Sequence, residues 1–584
     1  MRRSIDGRIG RILAMVLVVG LAAGLGSAAG IAAAPSEFHG AWPYVVPPGG
    51  HFNTFVVNHL GMGLYQQLME EPLAFYYWAS GTYEPILATE WRLIPPDRFE
   101  VHLRQGVRFS DGTPFNADDV VATFAIGRLY NWVIWKYVDR IEKVNDSTVV
   151  FHMKDPSSVV PRYALREPIR SDSVYGTWAR RVQQLLDEGK GTDSPEWKQL
   201  RADFEKFRPS SIVGTGPYNL DVRSISESQA TLVKVPTAWA ASRVKFDRVV
   251  LYNGETPQVT PLVLSKQVDY ATHGFPPATE RSMVQQGIRV VRPPTYTGPA
   301  IFFNNKVYPL NRPEVRQAIA MVIKRDENAR VSLGDSAKPS RYMAGFSDNL
   351  VPAWLTESQR ERLDPYAYDP DKAAELLKSI GFRKGSDGVW VTDQGKPMAL
   401  ELSVPAEYAD WSAAAENAAE QLTRFGIKTT VRAITFTQQP IEIQQGRFQM
   451  AIQAWGVGNP HPHFSFVQDL FTYNYVLAPG PGMSFDLKQK TKALGEVDLE
   501  QLVVEAGAGL DEAKQKDAVA KAAIAFNELL PIIPLWERYG NNAVLENVRV
   551  AGWPPDGDPI YRNSLYTDPF HIILIHLGRV HPTG

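Results

Sequence analysis

The segment from Trp91 to Val120 constrains the fold of this chain more than any other part of its sequence. Its first half alternates apolar with polar side chains, as in the run Phe99-Glu-Val-His-Leu103. A period of two predicts a strand with one buried face. We expect a second short strand over 107–109, which ends at the turn dipeptide Asp111-Gly112.

A helix is predicted directly after this turn. Asn116 occupies the N-cap position, where its side-chain oxygen can accept a hydrogen bond from the first turn of the helix. Asp118 and Asp119 place negative charge near the positive end of the helix dipole, and an apolar run begins at Val120. The segment offers no nucleophile, metal cage or phosphate loop, so it predicts structure and not chemistry.

The same residues resemble the signature of family 5 extracellular solute-binding proteins, which deliver peptides, nickel or oligosaccharides to ABC importers. Two further segments match motifs of that family, Gly214–Tyr218 and Asn311–Ile319. The resemblance covers nearly all of residues 40–550. It implies an α/β chain with the two-lobed type II periplasmic-binding-protein fold and an additional small α/β domain.

At 584 residues the chain is too long for a single core. Combined with the resemblance, the sequence predicts a signal peptide at 1–34 and a small domain carrying the signature at 91–211. The second lobe is expected at 298–534. The first lobe is expected to be discontinuous, with its parts at 35–90, 212–297 and 535–584.

The N-terminus has the pattern of an export signal. Four arginines within the first eleven residues precede the uncharged run Ile12–Ala34, which ends in small residues. We therefore expect an exported, periplasmic protein, with a single membrane anchor as the alternative if this run is not cleaved. The absence of cysteine excludes disulfides, thiolate ligands and a lipid-modified cysteine. A net charge of −2 argues against nucleic acid as a partner.

Residues 397–456 predict the ligand site. The pattern indicates a strand at 398–404, a helix at 411–425, and strands at 428–434 and 448–455. Ligands of open α/β sheets lie beyond the carboxyl ends of the strands. That rule selects the loops at 405–410, 435–439 and 456–463. Their aromatic, amide and imidazole groups suit sugar rings, and the candidate ligand-binding residues are Tyr408, Trp411, Gln438, Trp455, Asn459, His461 and His463.

The last of these loops departs from the peptide-binding pattern of the family. Peptide-binding relatives typically show Trp-x-Ala-Asp-Tyr-x-Asp-Pro, with an aspartate that pairs with the peptide ammonium. This chain has Gly458 and His461 at the two acidic positions. A buried ammonium needs a charged partner, so the departure favours a neutral ligand. An oligosaccharide is the leading expectation, and an oligopeptide or dipeptide is the alternative.

Other function classes have weaker support. His461 and His463 are only two residues apart and no cysteine is present, which makes a weak metal pattern, so no metal or cofactor is predicted, although nickel stays open. We find no Gly-x-Ser-x-Gly elbow, His-Glu-x-x-His helix or P-loop. The chain is therefore expected to be a monomeric, non-catalytic receptor, with a membrane permease and ATPase subunits as partners. A secreted hydrolase and a structural cell-surface protein are the alternatives from other classes.

Overall fold

A computed structural model describes residues 34–583 of the chain. The predicted signal segment lies outside the described residues, apart from its last position. Three sheets of four or more strands organise the described part. Within 34–583, no helix combines the length and the apolar character that a membrane crossing requires.

The first-lobe sheet has seven strands, and three neighbouring strands at its centre run parallel. Glu37–Ala41 pairs in parallel with Arg248–Tyr252 on one side and with Tyr270–Ala271 on the other, and Phe38 lies opposite Val249. The strand order across the sheet is Arg289–Val291, Asn542–Val544, Tyr270–Ala271, Glu37–Ala41, Arg248–Tyr252, Gln229–Lys234 and Tyr218–Asp221.

The second-lobe sheet has five strands and repeats this parallel arrangement. Ala399–Pro405 pairs in parallel with Lys428–Ile434 and with Met450–Trp455. Gly298–Phe303 and Ile532–Pro534 complete the sheet beside Met450–Trp455. The strands predicted in this region are confirmed. The predicted helix is confirmed as well, since it spans Ala409–Phe425 and ends at Gly426 with φ of 108°.

The small sheet contains the signature segment. Its four antiparallel strands are Ala88–Ile94, Arg98–Leu103, Thr148–Met153 and Val138–Asn145, in that order. Phe99, Val101 and Leu103 are buried, as the alternation predicted. Asn116 caps the next helix, Ala117–Leu129, by accepting from the backbone N–H of Asp118 at 2.7 Å.

One prediction for this segment is wrong. Residues 107–109 do not form a ladder with a neighbouring strand, and Arg108 makes only an isolated bridge with Pro114. The turn at Asp111-Gly112 closes this pairing on one side and Asn116 caps the next helix on the other, so a longer ladder has no room.

The remaining elements lie around these sheets. The other helices are Val160–Arg166, Asp172–Asp187, Pro195–Phe204, Thr256–Leu264, Pro277–Gln285, Pro313–Val322, Arg325–Leu333, Val351–Trp354, Glu357–Arg360, Pro370–Ser379, Gln439–Gln444, Pro462–Val467, Leu499–Gly507, Glu512–Leu529 and Phe570–His576. A π-helical turn covers Gln468–Thr472, and 3₁₀ turns cover Gly63–Leu68, Val133–Lys136, Val222–Ser224, Gly334–Ser336 and Pro559–Arg562. Two-stranded pairs join Ala74–Tyr77 to Thr82–Pro85, Ala337–Pro339 to Trp536–Arg538, Arg383–Lys384 to Trp390–Val391, Lys488–Thr491 to Gly495–Asp498 and Val550–Ala551 to His581–Pro582.

The apolar core is shared unevenly among the three sheets. Phe99 and Phe151 of the small sheet belong to the same buried cluster as Phe38 and Phe570 of the first lobe. The second lobe has clusters of its own on the two faces of its sheet, around Leu402 and Trp536 on one face and around Phe302 and Phe466 on the other. The exact domain boundaries given above stay predictions.

Candidate functional site

A cavity of about 590 Å³ lies between the first-lobe and second-lobe sheets. Its first-lobe wall comes from residues that follow the three parallel strands of that sheet. Trp42 follows Glu37–Ala41, Glu255 and Thr256 lie beyond Arg248–Tyr252, and Thr272 follows Tyr270–Ala271.

The second-lobe wall is built in the same way. Tyr408, Asp410 and Trp411 follow the strand Ala399–Pro405. Phe436 and Gln439 lie beyond Lys428–Ile434, and Gly456 to Gly458 follow Met450–Trp455. The carboxyl ends of both sets of parallel strands therefore meet at one cavity, where the sheet rule places a ligand.

Arg538 lies where the two connections between the lobes run side by side. Its backbone N–H donates to the carbonyl of Thr297 at 2.8 Å, and its carbonyl accepts from Thr295 at 3.1 Å. Its guanidinium donates to the Tyr566 hydroxyl at 2.5 Å through Nη1. Nε and Nη2 have no hydrogen-bond partner among residues 34–583. Arg538 thus has two donors left for a group inside the cavity.

Two carboxylates face the same cavity from opposite lobes. Asp410 is buried, with its Oδ2 4.0 Å from the Arg538 guanidinium and without a hydrogen-bond partner in the described chain. Burial, and then the negative charge of Asp410, raises the pKa of Glu255 to about 8. Burial also raises the pKa of Asp410, against the opposing charge of Arg538. Arg166 and Arg538 also line the cavity, so two positive and two negative groups face it when both carboxyls are ionised, an arrangement that suits a ligand with charges of both signs.

His273 adds a neutral acceptor to the wall. Its Nε2 lies 3.0 Å from the carbonyl of Gly254, so this nitrogen carries the proton. Nδ1 has no partner within 34–583 and is left to accept. Burial lowers the pKa of His273 to about 4, so the ring is neutral at physiological pH.

The family model described as "Bacterial extracellular solute-binding proteins, family 5 Middle" matches residues 82–475, about two thirds of the chain. The chain belongs to this family. Its members are extracytoplasmic transport receptors, and the expected two-lobed α/β fold is confirmed. The matched region includes the signature segment and most of the second-lobe wall of the cavity.

Similar proteins carry different ligands on this fold. The glutathione-binding protein GsiB of Shigella flexneri is 24% identical over 373 residues, which is 62% of this chain. The match spans 63% of the length of that relative, less than two thirds. A periplasmic oligopeptide-binding protein of Thermotoga maritima with bound mannohexaose has a TM-score of 0.73 at 21% identity, covering 94% of this chain and 99% of its own. NikZ of Campylobacter jejuni, in complex with Ni(L-His), has a TM-score of 0.71 at 18% identity, covering 92% and 99%. The fold alone therefore does not identify the ligand of this family member, which has to be inferred from its own cavity.

Two of the seven predicted ligand-binding residues line the cavity. Tyr408 and Trp411 lie there together, with ring centroids 5.1 Å apart and ring planes at 83°. Gln438 does not line it, because the helix Gln439–Gln444 begins one residue later and brings Gln439 to the wall instead. Gln439 is fully buried and donates to the carbonyl of Ile452 at 2.8 Å.

Trp455 is a core residue and does not line the cavity. Its side chain is 1% exposed and belongs to the cluster around Phe302 and Phe466. The indole N–H donates to the carbonyl of Trp536 at 3.2 Å, so the polar edge of the ring is used inside the protein.

Asn459, His461 and His463 do not line the cavity either, and their side chains bond elsewhere. Asn459 accepts from the Arg162 guanidinium at 2.7 Å. His461 caps the helix Pro462–Val467 and packs on Trp354, with ring centroids 4.2 Å apart. His463 is fully buried; its Nδ1 lies 2.8 Å from the carbonyl of Val503 and its Nε2 2.9 Å from the Tyr163 hydroxyl.

The structure explains why no acid stands at Gly458. A Cβ atom at Gly458 would lie 1.6 Å from the Ser564 hydroxyl and 3.0 Å from the Thr295 carbonyl, so no side chain fits. The acids of the cavity come instead from Asp410 and from Glu255, about 200 residues earlier in the chain. Applying the strand-end rule to the first lobe, after the strand Arg248–Tyr252, would have selected Glu255.

Proposed function

We propose that this protein is the extracytoplasmic receptor of an ABC importer and that its ligand is a small peptide with a free ammonium group. It captures the ligand between its lobes and delivers it to a membrane permease, whose ATPase subunits hydrolyse ATP. The chain itself acts as a monomer and without catalysis. The observation that carries this proposal is the pair of carboxyls, Glu255 and Asp410, that face the cavity from opposite lobes.

An ammonium group matches this pair because it has three donors and a positive charge. Asp410 Oδ2 lacks a hydrogen-bond partner within 34–583, and burial together with the charge of Asp410 raises the pKa of Glu255, so a cation beside Glu255 would favour its ionised form. A buried, uncompensated charge costs several kcal/mol, so a cation between the two carboxyls would be stabilised strongly. The two unused donors of Arg538 suit the carboxylate or carbonyl oxygens of the same ligand.

This proposal reverses the order of the two ligands that the sequence suggested. The preference for a neutral sugar depended on the acids missing at Gly458 and His461. Asp410 and Glu255 provide acids from other segments, so the missing residues no longer argue against an ammonium. An oligosaccharide is the second candidate, favoured by the half-buried rings of Tyr408, Trp411 and Phe436 on one wall, since sugar rings stack on aromatic faces.

Thermal unfolding with a panel of matched ligands tests the proposal. The panel contains glutathione, alanine di- to pentapeptides, their N-acetylated forms, and manno- and cello-oligosaccharides. We expect free-amine peptides to stabilise the protein by about 2.7 kcal/mol at roughly a hundredfold excess over Kd. N-acetylation should weaken binding by at least about tenfold, because it removes the charge that the carboxyls compensate. Stabilisation by oligosaccharides alone would overturn the peptide proposal in favour of the second candidate.

Asp410→Asn and Glu255→Gln provide the matched variants. Each keeps the size of the side chain and removes one negative charge, so binding of the free-amine peptide should weaken while binding of its N-acetylated form changes little. Chromatography of the ligand after incubation tests the hydrolase alternative, because a receptor returns its ligand unchanged.

A further inference from the structure

The small domain meets the second lobe through a set of hydrogen bonds, beside an apolar contact in which Phe464 of the second lobe joins the buried cluster of the small domain. The bonds come from its segments at 136–137 and 156–163, and they reach residues 459–515 of the second lobe. They join Arg162 to Asn459, Tyr163 to His463, Tyr137 to the carbonyl of Val504, Ser157 to the carbonyl of Gly507, Ser158 to Gln515 and Lys136 to Glu500. We call this set of contacts the latch.

Arg162 is the centre of the latch because it joins three parts of the chain. Its Nε donates to Asn459 of the second lobe at 2.7 Å. Its Nη1 donates to Asp568, in the C-terminal part of the first lobe, at 3.1 Å, and Nη2 donates to the other oxygen of the same carboxylate. Arg162 and Asp568 are both buried, and the guanidinium also lies over the Tyr76 ring at 4.8 Å. A buried bidentate pair fixes the geometry of both partners.

The backbones of the two regions also approach closely. Gly509 donates to the carbonyl of Pro156 at 2.5 Å and accepts from Ser158 at 3.1 Å. A Cβ atom at Gly507 would lie 2.5 Å from the Tyr137 hydroxyl, so glycine is needed for this approach. The latch is therefore a fitted surface and not a few chance contacts between side chains.

Both partners of Arg162 continue directly from segments that line the cavity. Asn459 follows Gly458 of the second-lobe wall, and Asp568 follows Thr567 of the first-lobe wall. Arg166, one helical turn after Arg162, lines the cavity and donates to the carbonyl of Thr567 at 3.1 Å. Any movement that separates the two cavity walls must therefore stretch or break the bonds of Arg162.

We infer that the latch holds the second lobe against the small domain independently of any ligand, with Arg162 as the positioning residue that aligns both cavity walls. The small domain shares most of its apolar cluster with the first lobe and only Phe464 among the fully buried members with the second, so the first two move as one body and opening occurs at the hydrogen-bonded boundary. The closed arrangement is consequently populated before a ligand binds. This inference goes beyond the proposed function and does not depend on which ligand the cavity takes.

Spin-label distances in ligand-free protein test the inference. The chain contains no cysteine, so Val144→Cys in the small domain and Val331→Cys in the second lobe provide specific label sites, and both positions are exposed. Bound ligand is removed by unfolding and refolding, and pulsed electron paramagnetic resonance then measures the distance distribution. We expect the labelled protein to show a dominant short-distance population. Arg162→Met should lower the ratio of closed to open molecules by more than about tenfold.

A milder pair of variants keeps the test decisive if Arg162→Met fails to fold. Tyr163→Phe removes only the hydroxyl that contacts His463, and we expect it to lower the closed-to-open ratio by about fivefold. Tyr44→Phe is the matched control, because its hydroxyl donates to the Ser226 carbonyl within the first lobe, and it should leave the ratio unchanged. The inference is overturned if the labelled protein is open without ligand, or if the folded Tyr163→Phe variant keeps the original distribution. Neither result would contradict the proposed ligand, which is measured separately.

Discussion

The small domain has two contrasting faces. Towards the first lobe it contributes Phe99 and Phe151 to a continuous buried cluster, in which removing any large side chain leaves a void. Towards the second lobe its apolar contact is much smaller, centred on Phe464, and it offers donors and acceptors that are paired across the boundary. Apolar side chains that become exposed gain no interaction with water that replaces their burial, whereas separated hydrogen-bonding groups can form new hydrogen bonds to water.

The contrast indicates which boundary can open during transport. Separating the small domain from the first lobe would expose a hydrophobic core, which is the equivalent of partial unfolding. Separating it from the second lobe exchanges protein hydrogen bonds for water at a small net cost per bond. A receptor that must release its ligand to a permease needs the second kind of boundary. Substitutions at either boundary test this contrast.

The largest effect is expected for Phe99→Ala in the shared cluster. Phe99 is 1% exposed and packs against Phe151, with ring centroids 5.9 Å apart. The free energy of unfolding should fall by about 3–5 kcal/mol, because a buried aromatic ring is replaced by a cavity. Denaturant unfolding measures this loss, with the exposed Val144→Ala as a control that should change it by less than about 0.5 kcal/mol. A small loss at Phe99 would show that the two bodies are not joined by this cluster.

The next effect concerns the close contact between Gly458 and the C-terminal part of the first lobe. Gly458→Ala should destabilise the protein by about 2–3 kcal/mol, because its Cβ would overlap the Ser564 hydroxyl. Adding Ser564→Gly should restore at least half of that loss by removing the side chain that blocks the Cβ. A double-mutant cycle in urea measures the coupling. Additive losses would mean that the two residues do not press on each other.

The contrast between these regions also explains which features of the fold could be predicted from the sequence. The strand at Phe99 and the cap at Asn116 depend on neighbours in the chain, so period and composition were enough to predict them. Tyr408 and Trp411 were found because the strand-end rule is topological and holds for the whole sheet.

The predicted side chains that do not line the cavity are held by packing with residues distant in the sequence. Trp455 is the last residue of its strand, and its indole N–H donates to the carbonyl of Trp536. His463 lies in the predicted loop after this strand, where its ring is hydrogen-bonded to the Tyr163 hydroxyl. Gln438 does not line the wall because the helix Gln439–Gln444 begins inside the predicted loop and brings Gln439 there instead. Arg538 carried no motif, and only the pairing of the two connections between the lobes brings it to the cavity.

A third prediction concerns the pH dependence that Glu255 gives to the closed arrangement. Its pKa rises from an ordinary value of 4.5 to about 8, first through burial and then through Asp410, while Arg538 opposes the rise and Glu407 adds to it. The folded protein therefore holds an extra proton between these values, and its stability decreases as the pH rises through that range. At high pH the ionised carboxyls of Glu255 and Asp410 repel each other across the cavity, and this repulsion opposes the closure that the latch favours.

Glu255→Gln should remove this contribution of Glu255 to the pH dependence of stability. Between about pH 5 and about pH 9 we expect the stability of the variant to rise by about 1–2 kcal/mol relative to the native chain, since the partly buried carboxyl is only partly screened. Urea unfolding at each pH gives the difference. Glu537 and Asp119, whose pKa values are also raised to about 7, contribute equally to both proteins and cancel. A constant difference across the range would exclude Glu255 as the source.

The smallest effect is expected at the edge of the latch. Lys136 and Glu500 form an ion pair of 2.7 Å, but their side chains are 30% and 42% exposed, in contrast to the buried Arg162. An exposed pair contributes less than about 1 kcal/mol, and salt screens it. Lys136→Met should therefore change the closed-to-open ratio by no more than about threefold, and the change should vanish at high salt. A salt-independent effect as large as that of Arg162→Met would mean that the latch works by charge at its rim. The expected pattern, a weak rim around a strong buried centre, would locate the closing force at the junction of Arg162 with the two cavity walls.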